Sequence, residues 1–106
     1  MSNLIWDIVV RWNNFAKDTV GKQFVRAVDS ISANIAEGYG RYTKKDKINF
    51  YRYAKGSILE SLDWFRKAIT RKLITEEEAH AIESDLEKLP RLVNWLIKYT
   101  NDNLTI

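Results

Sequence analysis

The chain has no cysteine, one histidine, one proline and four glycines in 106 residues. Without cysteine there is no disulfide framework, no thiolate nucleophile and no thiolate metal site. One proline and few glycines leave little room for long irregular loops. The lone histidine, His80, pairs with Glu76 or Glu83 at helical spacing, but two ligands are too few for a metal site. Ser30, Ser32, Ser57 and Ser61 have no base in a triad arrangement, and Gly38 and Gly40 lack the lysine and hydroxyl spacing of a phosphate loop. The expectation is a protein that is not an enzyme, with no cofactor, no metal and no small-molecule substrate. No apolar run approaches the ~20 residues that span a bilayer, and Met1, Ser2 and Asn3 do not begin a secretory signal. A cytoplasmic location without a membrane partner follows as the default.

Apolar residues make up 45% of the chain and charged residues 29%, the balance of a folded globular protein. The length suits a single domain over residues 1–106 with a radius of gyration of about 13 Å. The apolar spacing predicts four helices, at about residues 3–16, 19–39, 44–72 and 76–99. In the first, Leu4, Ile5, Ile8, Trp12 and Phe15 share a face. Asp18 or Thr19 is placed to cap the second, which ends at Gly40 in a left-handed turn. Thr43 with Asp46 opens the third, whose core face is Tyr51, Ala54, Ile58, Leu62, Phe65 and Ile69. Thr75 with Glu78 has capping-box spacing and opens the fourth. There Ala79, Ile82, Leu86, Leu89, Val93 and Ile97 face the core, Pro90 introduces a kink, and residues 101–106 form a frayed tail. Joints of two to five residues make the expected fold all-α, an antiparallel up-down-up-down four-helix bundle.

Charge and apolar surface are both unevenly distributed. Residues 41–72 hold ten basic and three acidic side chains, a net +7, whereas residues 73–106 hold three and seven, a net −4. Lys45, Arg52, Lys55 and Arg66 fall on one side of the third helix, within about 80° on a helical wheel. Lys44, Lys47, Lys67, Arg71 and Lys72 occupy its ends. Such a segment suits phosphate neutralisation, with Tyr42, Tyr51 or Tyr53 available to stack on bases; it equally suits pairing with an acidic neighbour. A second stripe on the third helix, Phe50, Tyr53, Ser57, Ser61, Trp64 and Ala68, lies away from the core face. Leu92, Trp95 and Tyr99 on the fourth helix and Trp6 and Val10 on the first are likewise off-core. Apolar groups on two sides of several helices predict a homo-oligomer, with Trp6, Val10, Phe50, Tyr53, Trp64, Leu92, Trp95 and Tyr99 at its interfaces.

Residues 26–41 carry polar groups beside a buried stripe. Phe24, Ala27, Val28, Ile31, Ile35 and Gly38 lie within about 60° of Ile31, Asn34 sits inside that stripe, and Arg26, Ser30, Glu37 and Arg41 run along its edge. Glu37 and Arg41 have the favourable order for an i,i+4 pair, and Arg26 is placed to reach Asp29 or Ser30. Gly56, Ser57 and Ser61 are small enough to let the third helix approach the second, which would bring Asn34 and Glu37 within reach of Ser57. The expected role of this row is structural, satisfying itself and fixing register. Gln23, Arg26, Asp29, Ser30, Ile31, Asn34, Ile35, Ala36, Glu37, Gly38 and Arg41, followed by Gly56, Ser57 and Glu60, resemble the 23S rRNA intervening-sequence protein family, also called the four-helix bundle protein family. The resemblance covers nearly the whole chain. It implies a small antiparallel bundle that assembles into a ring-like homopentamer, with Gln23, Arg26, Asp29, Ser30, Asn34, Glu37, Gly38, Gly56, Ser57 and Glu60 as its structural motif. Relatives include proteins encoded in inserts of bacterial 23S rRNA genes, and accessory variability proteins of diversity-generating retroelements, which bind a reverse transcriptase and nucleic acid through a basic surface. The expected partner is therefore RNA or a reverse transcriptase ribonucleoprotein, met by Arg41, Lys44, Lys45, Lys47, Arg52, Lys55, Arg66, Lys67, Arg71 and Lys72. The competing expectation is a scaffold that docks an acidic protein through the same charges.

Overall fold

Four helices and no strand organise residues 1–106 in a computed structural model. Helix α1 is Ser2–Val9. Helix α2 covers residues 14–40 without a break: an α-helical turn at Asn14–Ala16, a π-helical turn at Lys17–Gly21 and α-helix at Lys22–Gly40. Helices α3 and α4 are Lys44–Thr70 and Glu76–Asn103. The arrangement is consistent with a four-helix bundle. None of the helices is long and apolar enough to cross a membrane.

The first joint lies earlier than the apolar spacing predicts. Helix α1 stops at Val9 rather than near Ala16, and the cap of α2 is Asn13, whose Oδ1 accepts from Ala16 N at 3.0 Å. Asp18 and Thr19 sit inside the π-helical turn, where Thr19 Oγ1 donates to Phe15 O at 2.7 Å. Phe15, expected in the core, is 79% exposed. At the other joints the local signals hold. Thr43 Oγ1 accepts from Asp46 N, and Thr75 and Glu78 exchange both bonds of a capping box. Helix α4 runs through Pro90 and past Tyr99 to Asn103, so the expected fraying begins three residues later than Asn101; Thr100 is buried.

The two helix ends reverse the glycine expectation. No glycine has positive φ, and Gly40 does not turn left-handed. Instead Lys47, from the next helix, donates its Nζ to Tyr39 O at 2.8 Å, a carbonyl at the end of α2, and lies 3.4 Å from Gly38 O, which also accepts from Arg41 N. Helix α3 closes on Lys72, whose φ of 58° is left-handed. Leu73 N donates to Ala68 O at 2.9 Å and Lys72 N to Ile69 O at 3.0 Å, the paired bonds of a Schellman turn.

The core has two centres. Ile5, Ile8, Val9, Phe24, Val28, Phe65, Ile82 and Leu86 make one, which seats α1; Ile31, Tyr51, Ala54, Ile58 and Val93 make the other. Met1, Leu62 and Leu89 touch both and join them. Burying each large aliphatic or aromatic side chain contributes about 1.5–3 kcal/mol against the cost of ordering it. Ile69, assigned to the core by spacing, is 45% exposed, while Ser61 and Ala68, assigned outward, are fully buried. Core formation in two centres along long helices gives extents of 50 × 23 × 18 Å and a radius of gyration of 15.2 Å, above the value expected for a rounder chain of this length.

Candidate nucleic-acid interface

The most extensive packing is between α2 and α3, and a polar row runs along its edge. Arg26 Nη2 donates to Glu60 Oε2 across the two helices, Arg26 Nε donates to Gln23 Oε1 at 3.1 Å, and Trp64 Nε1 donates to the same Glu60 oxygen at 3.3 Å. One turn further, Ser30 Oγ donates to Arg26 O at 2.8 Å. Asn34 Nδ2 donates to Ser30 O at 2.9 Å and lies 3.5 Å from Ser57 Oγ. Ser57 and Ser61 donate back to the carbonyls of Tyr53 and Ser57 at 3.2 and 2.7 Å. No buried side-chain nitrogen or oxygen lacks a partner. Exposed ion pairs contribute at most about 1 kcal/mol each, so the row acts chiefly on register and its members are mutually satisfied.

Several placements differ from those read in the sequence. Arg26 uses Gln23 and Glu60, not the side chain of Asp29 or Ser30; Glu37 pairs with Arg41 at 2.6 Å and does not reach Ser57. Gly56 does not open space for α2. A β-carbon there would meet nothing within 4 Å, and the residue is exposed. The close approach is made from the other side, by Gly38, whose added β-carbon would stand 2.8 Å from Tyr51 Cε1 and 3.1 Å from Lys47 O. Asp29 is exposed, and only its carbonyl, which accepts from Ser32 Oγ, enters the bonding near this row.

The basic segment divides into engaged and free charges. Arg41 is held by Glu37, with its guanidinium carbon 4.6 Å from the centre of the Phe50 ring. Lys67 is held by Asp63 at 2.6 Å and lies over Trp64 at 4.6 Å; Lys47 closes the end of α2. Lys44, Lys45, Arg52, Lys55, Arg66, Arg71 and Lys72 enter no ion pair. Of these, Lys45, Arg52, Lys55 and Arg66 are exposed along the outer side of α3, and exposed Leu59 lies among them. Within the chain none of these cations pairs with the acidic start of α4, where Glu78 pairs with Arg11 at 2.8 Å and ties the segment after α1 to α4. No group of three or more His, Asp or Glu side chains is arranged to hold a metal ion.

The off-core aromatics also divide. Trp6, Val10, Tyr53, Leu92, Trp95 and Tyr99 are exposed. Trp64 and Phe50 are half-buried: Trp64 packs on the first core centre, and Phe50 meets Tyr53 edge-on at 5.4 Å beneath Arg41. Tyr51 is a core residue rather than an exposed stacking group, and burial, with neighbouring Tyr39 as the lesser cause, raises its phenol above 10.0. Sequence reading missed Tyr39, which forms an open cavity with Tyr51, Trp95 and Tyr99. Its signal was present: an aromatic in the last turn of a helix, four residues from Ile35 but on the rim of that stripe. The tail was missed as well: Leu104 and Ile106 line open cavities together with residues from the start of α3.

Comparison with known proteins places this arrangement. The family described as 23S rRNA-intervening sequence protein matches residues 1–95. Among solved structures, a protein of unknown function from the S23 ribosomal protein family of Bacteroides thetaiotaomicron, determined at 1.70 Å, is similar with a TM-score of 0.73. It is 27% identical, and the similarity covers 92% of this chain and 97% of that one. No curated protein sequence matches the chain.

Proposed function

This chain belongs to the 23S rRNA-intervening sequence protein family, and on that basis we propose that it is a non-enzymatic, homo-oligomeric accessory protein that binds structured RNA through the outer face of α3. One observation carries the reading: Lys45, Arg52, Lys55 and Arg66 lie exposed on that face with no carboxylate paired to them. Cations left in water beside one another repel, and a phosphate backbone relieves that repulsion while releasing its own counterions. Lys44 extends the strip at one end, and Arg71 and Lys72 at the other. The pairs Gly38 with Tyr51, Asn34 with Ser57 and Arg26 with Glu60 support an antiparallel pairing of α2 and α3. Exposed Trp6, Val10, Leu92 and Tyr53 support assembly of several copies, for which the family resemblance suggests a ring of five. A ring would repeat the basic strip and raise its affinity for an extended RNA or ribonucleoprotein, including one with a reverse transcriptase, by multivalency.

The test is binding of a labelled RNA hairpin, followed by fluorescence anisotropy, to the native protein and to the double variant Arg52→Glu with Lys55→Glu. Both residues are exposed, so the melting temperature should hold while affinity falls about tenfold or more. Equal binding by both proteins would remove the α3 face as the site, and no binding by either at low salt would remove the RNA reading in favour of docking to an acidic protein.

A further inference from the structure

The last turn of α2, the first turns of α3 and the end of α4 meet at one end of the molecule around a cavity of ≈ 490 Å³. Tyr39, Trp95 and Tyr99 line it and remain 75%, 57% and 50% exposed. Trp95 and Tyr99 are one turn apart on α4, with ring centres 5.1 Å apart and planes 23° from parallel, so they stack on one another, and the exposed outer side of that stack is an apolar platform. Lys47 lines the same cavity, its Nζ 5.7 Å from the centre of the Tyr39 ring. A second cavity of ≈ 350 Å³ opens over Lys44, Lys45 and Arg52. Leu104 lines the first and Ile106 the second, so the tail runs from one to the other, and both take lining residues from the first turns of α3. Neither is lined by an acidic side chain, although four cations border them.

That combination selects among occupants. A cationic ligand would be drawn to the aromatic faces but repelled by four cations. A second copy presenting this same end would cover the rings but set its cations against these without a carboxylate to meet them, and a copy presenting a different face, as in a ring, is the outcome that the subunit number reads. An unpaired nucleobase has an apolar face to stack on the platform, and its flanking phosphates carry the opposite charge to the adjoining cleft. A fully paired duplex offers the phosphates but keeps its base faces stacked inside.

We propose that this end of the molecule is a base-and-phosphate site for single-stranded nucleic acid, in which Trp95 and Tyr99 stack on an unpaired base while Lys44, Lys45 and Arg52 hold the phosphates beside it. The site rests on the nucleic-acid reading given above and adds a preference to it: the segment of RNA engaged here is unpaired.

The test compares a labelled ten-nucleotide RNA with the same RNA annealed to its complement, using the full-length native protein and the variants Trp95→Leu and Trp95→Ala with Tyr99→Ala. Native mass spectrometry reads the subunit number of each. The native protein should bind the single strand more tightly than the duplex. The double variant should lose about tenfold for the single strand, with duplex affinity and subunit number unchanged. Trp95→Leu, which keeps the surface apolar, should lose the same preference and the Trp95 share of fluorescence quenching. Unchanged single-strand affinity in the variants overturns the site while leaving salt-sensitive RNA binding intact. A fall in subunit number overturns it too and assigns the rings to a contact between copies. Failure of the native protein to bind either RNA removes both this site and the broader reading.

Discussion

Two glycines of similar standing in the sequence differ sharply in what surrounds them. Gly38 is buried, and the β-carbon of alanine there would press on the ring of Tyr51, itself only 2% exposed, and on the backbone of Lys47. Neither neighbour is the free end of a flexible side chain, so Gly38→Ala should cost about 1–3 kcal/mol. Gly56 meets nothing, and a glycine inside an exposed helix costs stability relative to alanine, so Gly56→Ala should add about 0.5–1 kcal/mol. Urea denaturation of the two variants checks both signs; equal effects would contradict this account of the α2–α3 contact. The sequence pattern marked both residues as motif positions, but it carries no information on which side of its helix a neighbour stands. The same gap applies to the charges. That residues 41–72 are basic was legible directly, whereas the engagement of Arg41, Lys47 and Lys67 depends on Glu37, the end of α2 and Asp63 with Trp64. Partner choice is a tertiary fact when several candidates lie one turn away.

At the scale of helices, α3 and α4 were legible because their start signals act within four residues and nothing competes with them. Thr43 and Thr75 cap as their spacing predicts. The boundary between α1 and α2 was not legible, because Ile8, Trp12 and Phe15 keep helical spacing across a turn that breaks the helix. Asn13 decides the matter locally: Phe15, two residues on, faces out, and the π-helical turn that follows brings Gly21 against α1. A β-carbon at Gly21 would stand 2.6 Å from Val9 Cγ1, which shows how closely α1 lies against this turn. Asn13→Ala should therefore cost about 1 kcal/mol, while Asp18→Ala, which removes no capping bond, should change stability by less than about 0.5 kcal/mol. Thermal or chemical denaturation of the pair distinguishes the observed cap from the one predicted by spacing. If Asp18→Ala proves the costlier change, the placement of the joint is wrong.

At the scale of the molecule, long helices and two core centres make a body 50 Å long whose outer basic strip on α3 is separate from the self-satisfied polar row between α2 and α3. The polar row is taken up by packing between α2 and α3, and under the proposed function the phosphate contacts fall to cations that enter no ion pair within the chain. An end with exposed aromatic rings adjoins that strip at Lys44, Lys45 and Arg52. The fold explains why: α3 contributes its inner face to both core centres, so only its outer side and its ends remain for a partner. The central claim is that free cations on this outer face neutralise phosphates. Its most direct test is the salt dependence of RNA affinity in the native protein and in Arg52→Gln. The logarithm of the binding constant should fall linearly with the logarithm of salt concentration, by about 0.7–0.9 for each phosphate neutralised. The substitution should flatten that slope by about that amount for each protomer in contact. An affinity independent of salt, or an identical slope in Arg52→Gln, would contradict it.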